Sequence, residues 1–286
     1  MKIEKDLLGL LKNALDEDRP ETDITSAYFL PENPDVTASI ISRQTGIFYG
    51  EEIIHAIFKV IGEKVDLNIF CPNGSPLEKN QRICSLKGPI KPILLAERVM
   101  LNFIQRLSGI STTTAQFVEE LDDPSIKILD TRKTTPLLRS LERNAVKAGG
   151  GVNHRFSLSD MVLLKENHLS QWISKNTPQS LADRIARFKK ENPDILVEIE
   201  VESINQLTAL DLSSADIIMF DNFSLPQIEE GVTVCKNQNY QAEIEISGNV
   251  SLETIHQYAG LDIQRISIGS LTHSVRALDL SLLIQS

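Results

Sequence analysis

Between Asp130 and His168 the chain gathers Arg132, Lys133, Arg139, Arg143, Lys147, Arg155 and Lys165 against only Asp130, Glu142, Asp160 and Glu166. That is a local excess of three positive charges in a chain whose formal charge is −10. Arginine offers a planar fork that holds a carboxylate or phosphate through two parallel hydrogen bonds, and lysine adds a compact point charge. His154, beside Arg155, is a donor that is neutral or charged near pH 7. Arg132, Lys133, Arg155 and Lys165 each fall at the mouth of an expected strand or loop, which suits an anionic ligand. Arg139, Arg143 and Lys147 follow at helical i, i+4 spacing and read as a solvated helix face. The run Gly149-Gly150-Gly151 before His154 fits an anion approaching the backbone, and equally a helix stop that needs left-handed φ. It does not match the GxGxxG fingerprint of dinucleotide sites.

A second, anionic set faces these cations. In "VEIEVES" Glu198, Glu200 and Glu202 share one strand face, with Ile199 and Val201 on the other. "AEIEIS" repeats the alternation with Glu243 and Glu245, and "IIMFDN" delivers Asp221. Parallel strands buried on both faces rarely alternate in this way. Such carboxylates suit Mg²⁺ shared with a phosphorylated substrate, hydrogen bonds to ribose hydroxyls, or ion pairs with Lys165 and the arginines. Ser247-Gly248 and Gly269-Ser270 end two further runs, with backbone N–H groups available for a phosphate.

The elements that must position these residues follow from periodicity. Residues 1–104 mix short β-like runs with helices, including the amphipathic N-terminal segment with Leu7, Leu8, Leu11, Ala14 and Leu15, and read as an α/β unit with an open antiparallel sheet. From about residue 105, six strand-length runs alternate with helical stretches: "IKILD", "MVLLKEN", "ILVEIEVES", "DIIMFDN", "AEIEISG" and "RISIGS". Strand–helix alternation implies parallel strands with right-handed crossovers, and six strands favour a barrel or near-barrel. Charged or small residues close every run, and α/β barrels build their sites at the C-terminal strand ends.

Composition narrows the function classes. The chain has 286 residues and 41% hydrophobic content, enough for one large α/β domain or two ordinary ones. Its acidity argues against nucleic acid or an acidic membrane surface as a general partner. Cys71, Cys84 and Cys235 show no CxxC spacing and read as reduced thiols. The N-terminus is a poor signal peptide and no apolar run is long enough to span a bilayer, so a cytoplasmic location is expected.

The stretch "DTRKTTPLLRSLERNAVKAGGGVNHRFSLSDMVLLKENH" closely resembles the signature region of quinolinate phosphoribosyltransferases. The resemblance extends through "ETDITS", "AERVMLNFIQRLSGIST", "EIEVES", "MFDNF", "EISGN" and "ISIGSLTHS", and so covers nearly the whole chain. It implies an N-terminal α/β open sandwich over 1–104, with a C-terminal helix 272–286 packing back on it. An incomplete, seven-stranded α/β barrel over 105–271 would follow. It also implies a homodimer, in which Arg98 resembles the arginine given to the neighbouring active site. The implied reaction turns quinolinate and phosphoribosyl pyrophosphate into nicotinate mononucleotide, pyrophosphate and CO₂, with Mg²⁺, in NAD synthesis.

Carried over by position, Thr131, Arg132, Lys133, His154, Arg155 and Lys165 resemble the quinolinate-binding cluster. Lys133, Glu200 and Asp221 correspond to catalytic and phosphoribosyl-binding positions, the two acids also lying near the metal. Ser247, Gly248, Asn249, Gly269, Ser270 and His273 fall in the phosphate-binding segments. Two departures stand out: Leu137 and Asn249 occupy positions where the family usually has glycine. The resemblance to the reaction leaves three rivals: a transferase for another acid such as the molybdenum-associated proteins, a non-catalytic anion-binding protein, and a phosphosugar isomerase.

Overall fold

The computed structural model describes residues 2–19, 21–177 and 179–285. Those residues form two units, Met1–Thr113 with Val275–Ser286, and Thr114–Ser274. The division falls inside one long helix rather than at the 104/105 boundary read from texture.

In the first unit, α1 (Lys2–Asp18) and α2 (Ile24–Phe29) precede β1 (Asp35–Ser42), β2 (Gly46–Ile47) and α3 (Glu51–Ile61). Then come β3 (Asp66–Ile69), β4 (Pro76–Leu77) and β5 (Arg82–Pro89), before α4 (Ile90–Leu121) runs through the division. The heptad-like leucines of α1 do what their spacing implies, with Leu11 and Leu15 buried. The C-terminal segment corrects an expectation. Leu280–Gln285 is not a helix but a strand, β12, paired antiparallel with β1 from Thr37↔Gln285 to Ser42↔Leu280. Its leucine- and isoleucine-rich run is too short for a helical stripe, whereas an edge position on an apolar sheet supplies ladder partners. The resulting four-stranded sheet has the order β12-β1-β5-β3.

All six runs read as strands in the second half are strands. They are β6 (Lys127–Leu129), β7 (Val162–Leu164), β8 (Val197–Val201), β9 (Ile217–Asp221), β10 (Glu243–Ser247) and β11 (Arg265–Ser267). They make one parallel sheet ordered β6-β11-β10-β9-β8-β7. Between them lie α5 (Arg139–Ala148), α6 (Glu166–Ile173), α7 (Gln179–Glu191), α8 (Ile204–Ala209) and α9 (Leu225–Asn237), and α10 (Ser270–His273) follows β11. β6 and β7 are the two sheet edges, so the α/β barrel is incomplete. Where seven strands were implied, the seventh is reduced among the described residues to a single parallel bridge, Leu129↔Val152. Between β10 and β11 the connecting helical stretch is only a 3₁₀ turn, Ile255–Tyr258.

The three glycines resolve into a helix stop. Gly150 takes φ +90°, Gly151 N–H donates to Val146 O at 3.0 Å and Gly150 N–H to Lys147 O at 3.0 Å, which is a Schellman ending for α5. A Cβ on Gly151 would meet Val146 Cγ1 at 2.7 Å and Thr114 Cγ2 at 2.8 Å, so this residue must also be small. The run thus turns the chain sharply and delivers His154 and Arg155 inward. Leu137 adopts φ +69° while 88% exposed, which explains why glycine suits this position. Replacing Leu137 with glycine should raise the unfolding free energy by about 0.5–1 kcal/mol. Relief of left-handed strain outweighs the added freedom of the unfolded chain. Chemical denaturation would read this, and a destabilised Leu137→Gly protein would contradict it.

Candidate active site

The C-terminal ends of the parallel strands surround a cleft of about 460 Å³. One wall carries Thr131, Arg132 and Lys133 after β6, with His154 and Arg155 after the Val152 bridge. Lys165, at the end of β7, stands beside Glu200 of β8 and Asp221 of β9, and Ser247-Gly248 closes β10. Four cations therefore share the cleft with two carboxylates. The excess of positive charge, unlike the chain average, matches a ligand carrying several negative charges.

Local hydrogen bonds hold the cationic wall in place. Thr131 Oγ1 accepts the Lys133 N–H at 3.1 Å, and Thr272 Oγ1 donates to Lys133 O at 2.8 Å. Arg132 Nε is buried with no partner, a donor left for a ligand. Arg155 Nη1 donates to Met161 O at 3.0 Å. Burial lowers the Arg155 pKa, and neighbouring Arg132 lowers it further. An anion between these two guanidiniums would relieve that repulsion.

Helix α5 departs from the solvated face its spacing implied. Arg143 is buried and bonds Asp130 Oδ1 at 3.3 Å, Arg155 O at 3.0 Å and His154 O at 2.6 Å. Asp130 Oδ1 in turn accepts the His154 N–H at 2.8 Å. The i, i+4 row faces the loop that follows the glycines, and these otherwise unpaired backbone groups draw the guanidinium inward. Arg139 joins it, donating to Phe156 O at 3.0 Å, while Lys147 remains exposed.

The carboxylates alternate as the sequence required, but on a strand buried along both faces. Glu200 is 4% exposed and ion-paired with Lys165. Burial raises its pKa, against the opposing pull of Lys165. Glu202 lies outside, exposed. Asp221 is half-buried, accepts the Asn222 Nδ2 hydrogen at 2.8 Å and is freer than Glu200 to bind a cation.

Deeper in the barrel, Glu198 and Glu245 are fully buried, with His154 Nε2 at 3.1 Å and 3.3 Å from them. Burial opposes charge on the imidazole and the two carboxylates raise its pKa, while the Arg155 N–H donated to Nδ1 opposes a second proton on the ring. Because the groups touch, that titration belongs to the cluster. Period-two acids on core strands were the sequence signal for this layer. Arg265, which donates to Glu245 Oε2 at 2.6 Å, gave none.

The glycine-rich segments divide. Gly248 (φ +87°) and Asn249 (φ +56°) turn the chain after β10, and Asn249 Nδ2 donates to Asn222 Oδ1 at 3.1 Å. Asn249 therefore takes the backbone conformation a glycine would provide, with its side chain held by Asn222. No α-helix starts there, so any phosphate contact would come from turn N–H groups. A Cβ on Gly248 would fall inside contact range of Asn222 Oδ1. Gly248→Ala should therefore raise KM for the phosphorylated substrate at least tenfold and destabilise the fold by about 1–2 kcal/mol. Unchanged substrate kinetics would contradict this. Gly269 and His273 flank the Lys133 side chain, whose Cδ would lie 3.1 Å from a Gly269 Cβ. Ser270 opens the short α10. Asn249, Gly269, Ser270 and His273 do not line the cleft itself, and Arg98 is an exposed residue of the first unit.

Known proteins are similar to this chain in sequence and fold. The model of the quinolinate phosphoribosyl transferase N-terminal domain matches residues 23–108, and that of the C-terminal domain matches 110–283. The chain belongs to the quinolinate phosphoribosyl transferase family. A probable nicotinate-nucleotide pyrophosphorylase (carboxylating) of Bacillus subtilis (strain 168) is 39% identical, over 96% of this chain and 92% of its own length. The nicotinate-nucleotide pyrophosphorylase (carboxylating) of Mycobacterium leprae (strain TN) is 35% identical, with 95% of each chain covered. Among solved structures, the nicotinate-nucleotide pyrophosphorylase from Francisella tularensis superposes with a TM-score of 0.88 at 34% identity, covering 99% of this chain and 97% of its own. NadC from Streptococcus pyogenes gives 0.87 at 36%, covering 97% and 96%. The family therefore spans both units, including the strand β12 that the sequence disguised.

Proposed function

We propose that the chain transfers a phosphoribosyl group from phosphoribosyl pyrophosphate to quinolinate with decarboxylation, giving nicotinate mononucleotide, pyrophosphate and CO₂ for NAD synthesis. One observation carries the reading: Arg132, Lys133, Arg155 and Lys165 converge on a single cleft opposite Glu200 and Asp221. Two adjacent carboxylates on a pyridine ring require several cations in a sheltered pocket. Arg132 Nε, buried and unpartnered, and the Arg155 guanidinium would take the substrate carboxylates. Lys133 and Lys165 would balance the remaining charge.

With the pyridine so held, its nitrogen lone pair forms the bond to ribose C1, and the C1–O bond breaks with its electrons leaving on pyrophosphate. Glu200, kept ionised by Lys165, would face the positive charge developing on the sugar. The quaternised ring then accepts the electron pair of the C2–carboxylate bond as CO₂ departs, and C2 takes a proton. Positioning and electrostatics account for the catalysis, and no covalent nucleophile is needed. Mg²⁺, when bound, would neutralise the departing pyrophosphate. Asp221 fits as its protein ligand because one or two carboxylates plus substrate phosphates suffice, whereas Glu200 is already engaged by Lys165. Turn N–H groups at Ser247-Gly248 would receive a phosphate, with Asn249, Gly269, Ser270 and His273 supporting that end.

A homodimer in which Arg98 completes the neighbouring site, and a cytoplasmic location, belong to the same reading. No helix among the described residues is long and apolar enough to cross a membrane. If Arg98 acts in trans, mixing inactive Arg98→Ala and Arg155→Ala proteins should restore up to about a quarter of wild-type activity through hybrid dimers. No recovery after subunit exchange would remove Arg98 from the site. The function itself is tested by quinolinate consumption and CO₂ release with and without phosphoribosyl pyrophosphate and Mg²⁺. Binding without CO₂ would indicate an anion-binding protein. Turnover of a different acid in a substrate panel would indicate a related transferase.

A further inference from the structure

Beneath the cleft lies a buried side-chain group that the reaction as described does not use. His154 Nε2 faces Glu198 Oε2 at 3.1 Å and Glu245 Oε1 at 3.3 Å, while Arg265 Nε holds the other Glu245 oxygen at 2.6 Å. The approach to the imidazole is oblique, so these are close polar contacts rather than well-aligned hydrogen bonds. Such a trio invites a divalent cation, since its ligand atoms all lie within 4.8 Å of one another. Two observations weigh against one. The Arg155 N–H donates to His154 Nδ1 at 2.8 Å, so Nδ1 carries no hydrogen and the neutral ring carries it on Nε2, leaving no lone pair there for a metal. Arg265 also already balances the charge of Glu245.

What the geometry does accomplish is orientation. A carboxylate can only accept, so Glu198 and Glu245 favour the tautomer with hydrogen on Nε2. That tautomer exposes the Nδ1 lone pair to the Arg155 N–H. Arg143 Nη1 meanwhile holds the Arg155 carbonyl at 3.0 Å, so the Arg155 backbone is fixed at both its polar groups. We infer that Glu198 and Glu245 are positioning residues, which set the His154 tautomer and through it aim Arg155 into the cleft. Neither carboxylate lines the cleft, and their influence on substrate runs through the imidazole. The inference rests on the proposed role of Arg155 in binding a substrate carboxylate.

Two measurements test it, and the first does not depend on turnover. In the wild-type chain, long-range ¹H–¹⁵N correlations of labelled histidine should show His154 with hydrogen on Nε2 and Nδ1 free. Glu198→Gln, whose amide can donate to the ring, should move the spectrum toward the Nδ1–H form and speed exchange of the Arg155 amide hydrogen. Kinetically, Glu198→Gln should raise KM for quinolinate about tenfold while KM for phosphoribosyl pyrophosphate changes less than twofold. Glu198→Asp, which keeps an acceptor, should recover most of that loss. In an Arg155→Ala background the same substitution should have less than a twofold effect, because its route to the substrate is gone. An Nδ1–H tautomer in the wild type, additive losses in the double variant, or one equivalent of tightly bound metal at the trio would each overturn the inference. If quinolinate is not turned over at all, the functional reading fails, while the tautomer and amide-exchange results still decide whether the carboxylates position Arg155.

Discussion

Arg155→Ala lowers kcat/KM for quinolinate by about 10²- to 10³-fold and leaves the protein folded. The guanidinium makes one bond to its own unit, to Met161 O, and its remaining donors are available to the cleft. Neighbouring Arg132 opposes its charge, so the pair is set to receive an anion rather than to stabilise the empty fold. Removing one partner of a sheltered charge pair costs about 2–5 kcal/mol, whereas the lost bond to Met161 O costs about 1 kcal/mol. The functional loss should therefore greatly exceed the stability loss. Steady-state kinetics alongside thermal unfolding separates the two. Near-normal CO₂ release by a well-folded Arg155→Ala protein would remove Arg155 from the binding cluster.

Lys165→Ala acts through a different route and falls mainly on kcat, by about 10²-fold or more. Its ammonium is half-exposed, but its partner Glu200 is buried. Burial already raises the Glu200 pKa, and Lys165 is what draws it back down. Without the lysine that pKa rises further, so a larger share of Glu200 is protonated and unable to stabilise charge on the sugar. The sign follows directly. Ionised Glu200 is the active form, so the acidic limb of the kcat profile moves to higher pH in the variant, and activity recovers partly as pH is raised. A profile that keeps its wild-type acidic limb would show that Lys165 does not control Glu200. Arg155→Ala, whose charge acts on Glu200 only at longer range, should displace the limb much less than Lys165→Ala, which distinguishes the two cations although both line one cleft.

Much of this site could be read along the chain. The strand-end residues Arg132, Lys133, Lys165, Glu200, Asp221 and Ser247 were placed by the rule that parallel strands deliver their C-terminal ends to one rim, and the structure gathers them there. The six strands were legible because short apolar runs separated by helical periods leave few other solutions. Arg143 was misread, because i, i+4 spacing shows that residues share a helix face but not what that face meets. In the fold it meets Asp130 and the backbone of His154 and Arg155.

The sequence alone determined which residues share a strand face and, to within a few residues, where each strand ends, since both follow from local backbone geometry. The glycine run also carried its left-handed helix stop, with Gly150 at φ +90°. Partnership across strands was decided only by tertiary structure. Register brings Glu245 of β10 opposite Met219 of β9, which also pairs with Glu200 of β8, and so stacks carboxylates from distant segments in one interior. The same dependence made β12 a strand, because an edge of β1 was available to satisfy its backbone. Strand partners as distant in sequence as Thr37 and Gln285, like charges that meet only after folding, leave no mark on local periodicity.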